Sequence, residues 1–433
     1  MSKKIILIPL ETSSRELIYK IFLCNILSEK KFECYLGKKT DILKLTEKLK
    51  HFVYLDKGFH KGVSEDLYKK IKLNSGYIIN LDEEGAVAFP DGSPLHLRYS
   101  KDALINYNKT FFWGNNQLNF VKNDIPNYNE CIATGHPRFQ LLKPDYKYLY
   151  EYEVSKIKSE YKEFILVNTN FARGNNIRGV EAARKNYIGR YKNIDTRIKN
   201  DNIKLEKFTS LVKSLLNKKY KVVIRPHPEE DVRTYKKIFS DYKNVHITNE
   251  KSAICWIIAC KVLIHSDCTT GVESLMLGKK SISFVHDELD KSVLTILPQK
   301  ASYVLNTEEK ILNFIDNEYY LKPVVYNDYP WLENHFCFNS NSFELIANVI
   351  EKINLKSEKL VYNIKTSFLK TRAKNLIKKI IGRQDSLIDQ KLQDFNKKNI
   401  NRIHKNIIRN NTNYDSIKVE MITENLFRFQ NNK

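Results

Sequence analysis

Glycine and proline are scarce in this chain, 14 and 11 among 433 residues, which excludes collagen-like repeats and long disordered Gly/Pro tracts. Cysteine occurs seven times but never as a C-x-x-C pair: Cys24, Cys34, Cys131, Cys255, Cys260, Cys268 and Cys337 are scattered, mostly through apolar runs. That scatter argues against a disulfide framework or a zinc site and for buried thiols in a reducing compartment. No apolar run approaches the roughly 20 residues that span a bilayer. The amino-terminal MSKKIILIPLE offers only about six apolar residues before Glu11, too few for a signal-peptide core. A cytoplasmic protein is expected. Also missing are the phosphate-cradling G-x-x-x-x-G-K-[ST], the zinc motif H-E-x-x-H and the nucleophile elbow G-x-S-x-G. Asp287 and Asp290 of HDELD are the nearest approach to a metal pair, so chemistry without metal or other cofactor is expected.

Positive charge is abundant: 72 Lys and Arg against 50 Asp and Glu leave a formal +22. Such an excess implies an anionic partner or a Lys-rich composition, and does not choose between them. Half of it lies in residues 356–433, where 18 basic residues face 7 acidic ones. Within that tail Phe368, Leu369, Ala373, Leu376, Ile377, Ile380 and Ile381 recur at helical spacing, with Lys370, Arg372, Lys374, Lys378 and Lys379 between them. A basic amphipathic helix there suits the anionic inner face of a membrane, or a domain surface with a solvated basic face. Aromatic residues are not interleaved with these charges as base-stacking platforms, so nucleic acid is not an expected partner.

The length suits two domains with a remainder. Apolar runs at Ile5–Leu7, Phe52–Leu55, Tyr77–Leu81, Thr110–Trp113 and Cys131–Ala133 are separated by helix-period stretches, the signature of parallel strands with crossover helices. A charged segment, Lys143–Lys162, interrupts the series. A second one follows with Phe164–Asn168, Tyr220–Ile224, Val245–Ile247, Val262–His265 and Ser281–Val285. The expected fold is α/β: two doubly wound Rossmann-type domains facing a cleft (1–160 on the acceptor side, 161–354 for the nucleotide) and a basic helical tail (355–433). Ligands in such sheets bind beyond the carboxyl ends of the strands, so residues at strand tips carry the functional weight.

Three tips stand out. In VVIRPHPEED, prolines on both sides of His227 end the strand and hold Arg225 and His227 at the sheet edge, where a guanidinium fork and an imidazole suit a phosphate. The plainer alternative is a buttressed turn with Arg225 paired to Glu229 or Glu230. In HSDCTTGVESLMLGK, Ser266, Thr269, Thr270 and Gly271 form a turn into an apolar helix. Free amides there make an anion site, and Glu273 in the first turn can reach a sugar hydroxyl or simply favour the helix dipole. In NLDEEG, the adjacent carboxylates Asp82, Glu83 and Glu84 repel one another; a raised pKa is expected for at least one, suiting a general base, unless the triplet is a solvated turn.

The order INLDEEG, FFWGNNQ, ATGHPRFQLL, LVNTNF, RPHPEED, HSDCTTGVESLMLGKK resembles the surface carbohydrate biosynthesis proteins, within the GT-B glycosyltransferases that build bacterial surface polysaccharide. The resemblance runs from about Tyr77 to Phe284 and leaves out the tail after about Asn354. Glu83-Glu84-Gly85 looks like the [DE]-[DE]-G step of sialyl and Kdo transferases, and His227-Pro228 like their HP step. The resemblance implies transfer of a sugar from a nucleotide-sugar donor, with CMP-linked nonulosonic acid or Kdo the first choice, to a glycan or lipid-linked acceptor. Glu83 would be the base, with Asp82 or Glu84 one-residue alternatives. His227, Thr269 and Thr270 would contact the donor phosphate; Arg225, Ser266, Gly271 and Glu273, read from the strand tips themselves, complete the expected donor site, with Glu273 on a sugar hydroxyl. LVNTNF carries no carboxylate at the strand tip, which favours direct displacement over a covalent intermediate. The rival readings are a teichoic-acid-type glycerol- or ribitol-phosphate transferase, which also combines a G-x-P-R turn with an HP step, and a basic binding protein without catalysis.

Overall fold

The computed structural model describes residues 4–85, 95–124, 130–188, 191, 193–356, 364–369, 373 and 391–432. They form two compact units. The first gathers Met1–Gly85, Arg98–Leu141 and Trp331–Lys433; the second is built on Leu142–Pro330.

The sheet of the first unit contains β1 (Lys4–Leu10), β2 (Phe32–Lys38), β3 (Phe52–Asp56), β4 (Tyr77–Leu81), β5 (Lys109–Phe112) and β6 (Cys131–Ala133), joined by parallel pairing in the order β2-β1-β3-β4-β5-β6. The order reverses between β1 and β3. Six of the seven residues of β1 are buried, as expected of a strand covered on both faces. The helix Ser13–Glu29 is apolar around most of its circumference because it is covered on several sides. It packs on β2, on the helices Ser342–Glu351 and Lys397–Asn410, and on the short helix Pro137–Gln140.

The second unit carries a six-stranded parallel sheet of β7 (Ile165–Asn168), β8 (Val222–Arg225), β9 (Val245–Ile247), β10 (Val262–His265), β11 (Ser281–Phe284) and β12 (Tyr303–Leu305). Its order, β9-β8-β7-β10-β11-β12, is the 3-2-1-4-5-6 order of a dinucleotide-binding sheet, with the switch point between β7 and β10. One face packs on the long helix Ile194–Asn217 through Phe208, Leu211, Val212 and Leu215.

The expected carboxyl-terminal helix is present, but the tail is not helical throughout. Its last segments are strands: β13 (Ile417–Thr423) and β14 (Leu426–Asn431) form a hairpin whose second strand pairs antiparallel with β2, covering that edge of the first sheet. The helix Lys397–Asn410 lays Ile400, Ile403 and Ile407 against the first unit, so its apolar face is occupied within its own unit. Most of the expected helix from Phe368 to Ile381 lies outside the described residues; Phe368 itself is buried, with the ammonium groups of Lys44 and Lys48 over its ring. The chain leaves the first unit after Leu141 and rejoins it at Trp331, so the units do not follow the linear segments read from composition.

Candidate active site

The carboxylates of NLDEEG follow β4 and diverge. Asp82 is fully buried and Glu84 half-exposed, yet both pair with the guanidinium of Arg98. Asp82 also accepts from the Glu84 amide at 3.0 Å, and its carbonyl accepts from the Trp113 indole at 2.6 Å. The expected repulsion is overridden at Glu84. Burial acts to raise its pKa, but Arg98 and Arg15 hold it down at about 2. Gly85 closes the motif because a Cβ there would meet the Trp113 ring at 2.8 Å and the Gln117 amide at 2.7 Å.

Glu83, 3 % exposed, turns the opposite way. Its Oε1 accepts from the Tyr19 hydroxyl and lies 3.2 Å from Lys20 Nζ. Lys20, also buried, is shared with Glu16 at 2.7 Å and with the Pro9 carbonyl at 2.7 Å. Glu16 is held well below the usual carboxylate range: burial opposes this, but Lys20, Lys57 and Arg15 outweigh it. The Oε2 of Glu83 has no hydrogen-bond partner among the described residues, and its nearest ionisable neighbour is His136 Nε2 at 3.7 Å. These groups stand at the carboxyl ends of β1, β3, β4 and β6, the edge where a doubly wound sheet binds ligands.

In the second unit the RPHP turn is rigid, but a freely presented fork at Arg225 does not hold in this structure. Its terminal nitrogens donate to the carbonyls of Glu250 at 2.5 Å and Lys251 at 3.0 Å, and the guanidinium stacks 5.5 Å from the Trp256 ring. His227 Nδ1 accepts from the Glu229 amide at 3.2 Å, which makes the neutral ring the Nε2–H tautomer. Beneath it, buried Glu230 accepts from the His227 and Phe171 amides at 3.0 Å, from the Thr169 hydroxyl at 2.9 Å and from the Tyr235 hydroxyl. This carboxylate ties the RPHP turn to the loop after β7.

At the switch point, β10 ends on His265, whose ring lies between the Ser302 hydroxyl at 2.9 Å and the Ser266 carbonyl. Gly271 packs directly on that ring; a Cβ would sit 2.3 Å from His265 Nε2. Thr269 precedes the helix Thr270–Met276 without a side-chain cap, and Glu273 lies buried in its first turn. The helix is only seven residues long, so its dipole is modest, and polar side chains carry more of the site's character. Among the described residues, Ser266 Oγ, Thr270 Oγ1 and Asn168 Oδ1 are buried atoms without hydrogen-bond partners. Asn168 pairs in register with His265 across β7 and β10. Asp267, two residues past His265, is engaged instead: it binds Lys204 Nζ at 2.7 Å and the Thr295 amide at 3.1 Å. The HDELD carboxylates are also occupied, Asp287 by the Asn306 amide and Asp290 by Ser292. Among the described residues no group of three His, Cys, Asp or Glu side chains is arranged to hold a metal ion.

Sequence reading passed over Tyr19, Lys20, Arg98, His136 and Asn168. His136 and Asn168 carried a local signal, each standing at or just past a strand end within a quoted motif, ATGHPRF and LVNTNF. The other three come from helices, and nothing local to them points to a strand tip.

No family model matches the chain, and no curated protein matches it in sequence. Solved structures do. The wall teichoic acid polymerase TagF matches at 12 % identity over 81 % of this chain and 88 % of its own, with a TM-score of 0.50. UDP-GlcNAc 2-epimerases from Methanocaldococcus jannaschii and Neisseria meningitidis match at 12 % and 13 % over 81 % of this chain, covering 99 % and 100 % of their own, each with a TM-score of 0.49. At such identities the likeness concerns the fold. The match to the polymerase, together with the two sheet orders, shows a GT-B-type fold of two Rossmann-type domains.

Proposed function

We propose that this protein is a glycosyltransferase of bacterial surface-polysaccharide synthesis, with a CMP-activated acidic sugar, a nonulosonic acid or Kdo, as its donor. The observation that carries this reading is Glu83, a buried carboxylate at a strand tip with one oxygen unpartnered. Asp82 also keeps one buried oxygen, Oδ2, without a partner among the described residues, but the ion pairs of Arg98 with Asp82 and Glu84 support Glu83 over both as the base. Glu83 takes the proton of the acceptor hydroxyl as its oxygen bonds to the anomeric carbon and the bond to the nucleotide phosphate breaks. The leaving phosphate is met by His227 as the Nε2–H tautomer and by the hydroxyls of Ser266, Thr269 and Thr270, with Gly271 giving close backbone approach. Arg225 shapes the RPHP turn, Glu273 reaches a sugar hydroxyl, and Asn168 joins the donor set. The acceptor is a glycan or lipid-linked glycan, and the basic carboxyl-terminal segment, lying outside the described residues in part, meets the anionic inner membrane face.

The test is a thermal-shift panel of CMP, CDP, UDP and GDP, each with and without magnesium. A nucleotide that binds only the folded state adds about 2.7 kcal/mol at one hundred times its Kd. A shift with CMP that needs no metal is the expected result, and Ser266→Ala should diminish it. A preference for CDP would instead indicate polyol-phosphate transfer, the chemistry suggested by the name of the teichoic acid polymerase that shares the fold. No shift with any nucleotide would leave a non-catalytic binding protein.

A further inference from the structure

His136 belongs to no role assigned above, yet it is a fully enclosed ionisable group beside Glu83. It is 0 % exposed and boxed by the rings of Tyr19 at 5.1 Å, Trp113 at 4.9 Å and Phe139 at 6.2 Å. Pro137 follows it at the first turn of a short helix, and the Arg138 amide donates to its Nδ1 at 3.1 Å. An imidazole that accepts at Nδ1 carries its single proton on Nε2 when neutral. Neutrality is enforced, since burial, then Arg138, Lys20 and Arg15, push its pKa well below the ordinary value. The Nε2–H therefore faces the Oε2 of Glu83, and neither atom has a hydrogen-bond partner among the described residues. At 3.7 Å the contact is too long to be a hydrogen bond, but catalytic hydrogen bonds often tighten only when substrate is bound.

We propose that His136 is a positioning residue for Glu83: its neutral Nε2–H closes on Oε2 and fixes the direction in which the carboxylate presents its remaining lone pair to an acceptor hydroxyl. The inference rests on Glu83 being the base. Tyr19 and Lys20 grip Oε1 from the helix Ser13–Glu29, and once the Nε2–H of His136 closes on Oε2 from the turn after β6, rotation of the carboxylate is blocked from both sides. The other charged groups facing this pair are Arg15 and Glu16 from the same helix, Lys57 after β3 and Arg138 beside the imidazole. Being enclosed, His136 does not touch substrate; it acts through Glu83.

The test uses the full chain with 15N-labelled histidine, and His136→Gln identifies the ring signal. The expected spectrum shows a neutral Nε2–H tautomer at pH 6 whose proton signal moves upfield in Glu83→Gln, where the anionic acceptor is gone. A protonated ring at that pH, or a signal unmoved by Glu83→Gln, overturns the inference. Release of CMP from CMP-N-acetylneuraminate, with water in the acceptor's place, gives the second readout. A hydrogen bond to a charged group is worth about 1.5–3 kcal/mol, so His136→Phe, which keeps the aromatic packing, should lower kcat roughly 10- to 100-fold with KM unchanged. His136→Gln, which restores an N–H, should recover part of that loss, and a His136→Phe protein at the wild-type rate overturns the inference. Full activity in Glu83→Gln would instead refute the assignment of the base, and the ring signal would still decide whether the two side chains are paired.

Discussion

Glu230 offers a sharp physical test because its proton equilibrium and the geometry of the RPHP turn are the same problem. The carboxyl group is 0 % exposed, and burial raises its pKa from 4.5 to about 6 despite the bonds from Tyr235, Phe171, His227 and Thr169. An acid whose folded pKa lies above its unfolded one binds its proton more tightly in the fold. Between pH 4.5 and 6 the folded state holds a proton that the unfolded chain has released, so stability falls as pH rises through this window. A shift of about 1.5 units corresponds to roughly 2 kcal/mol, present below pH 4.5 and lost by about pH 7. Glu11 and Glu84, each held at about 2, respond to acid in the opposite sense, so the whole-protein profile mixes signs. The difference between wild type and Glu230→Gln isolates the one group. Hydrogen exchange followed by mass spectrometry on peptides covering β7 and β8 reads that difference in the right unit. Relative to the Gln variant, the wild type should gain about 2 kcal/mol of protection between pH 7 and pH 4.5. A flat difference, or one rising with pH, would refute the account of Glu230 as a buried acid held between two loops.

Two further outcomes follow from the packing. Gly271→Ala places a Cβ 2.3 Å from the His265 ring, and the overpacking should cost about 1–3 kcal/mol, seen as a lower Tm, and weaken the nucleotide-dependent shift. Deleting the chain after Asn411 removes the β13–β14 hairpin and uncovers the edge of β2, whose residues Cys34–Gly37 pair with β14. Concentration-dependent association in light scattering is expected, and a monomeric truncated protein would show that the hairpin is not an edge guard.

The parallel strands were legible because each is a short apolar run that ends at a punctuating residue: Ile78–Leu81 before Asp82, Val222–Ile224 before RPHP, Val262–Ile264 before His265. β2 was less legible. FECYLGK carries Glu33, a buried charge satisfied by Tyr35 from its own strand and approached by Arg428 from β14 near the chain's end. The terminal hairpin was hidden by averaging. IKVEMIT alternates as a half-covered strand should, but counting charge over the whole tail merged its outward Lys418 and Glu420 with a basic helix. Arg225 shows the reverse error: a cation at a strand tip reads as a ligand from local sequence, whereas Glu250 and Lys251, 25 and 26 residues on, supply the carbonyls that take it.

The acidic triplet shows what local sequence leaves open and geometry closes. Counted by composition, Asp82, Glu83 and Glu84 are three equivalent acids whose repulsion must be relieved somehow. In the turn that follows β4 the first and third pair with Arg98 and the second with Lys20. Arg98, with two terminal nitrogens, spans the outer pair and neutralises it as one unit. Glu83 meets Lys20, already shared with Glu16, and the Tyr19 hydroxyl, all on one of its oxygens. The middle carboxylate is therefore anchored without being consumed, and its second oxygen faces a neutral imidazole instead of a cation. That combination, a fixed carboxylate with an uncommitted oxygen, supports the base proposed above; Asp82 shares the uncommitted oxygen but has Arg98 on the other one. The outer acids have a complementary task, since they compensate the charge of Arg98, whose side chain is largely buried.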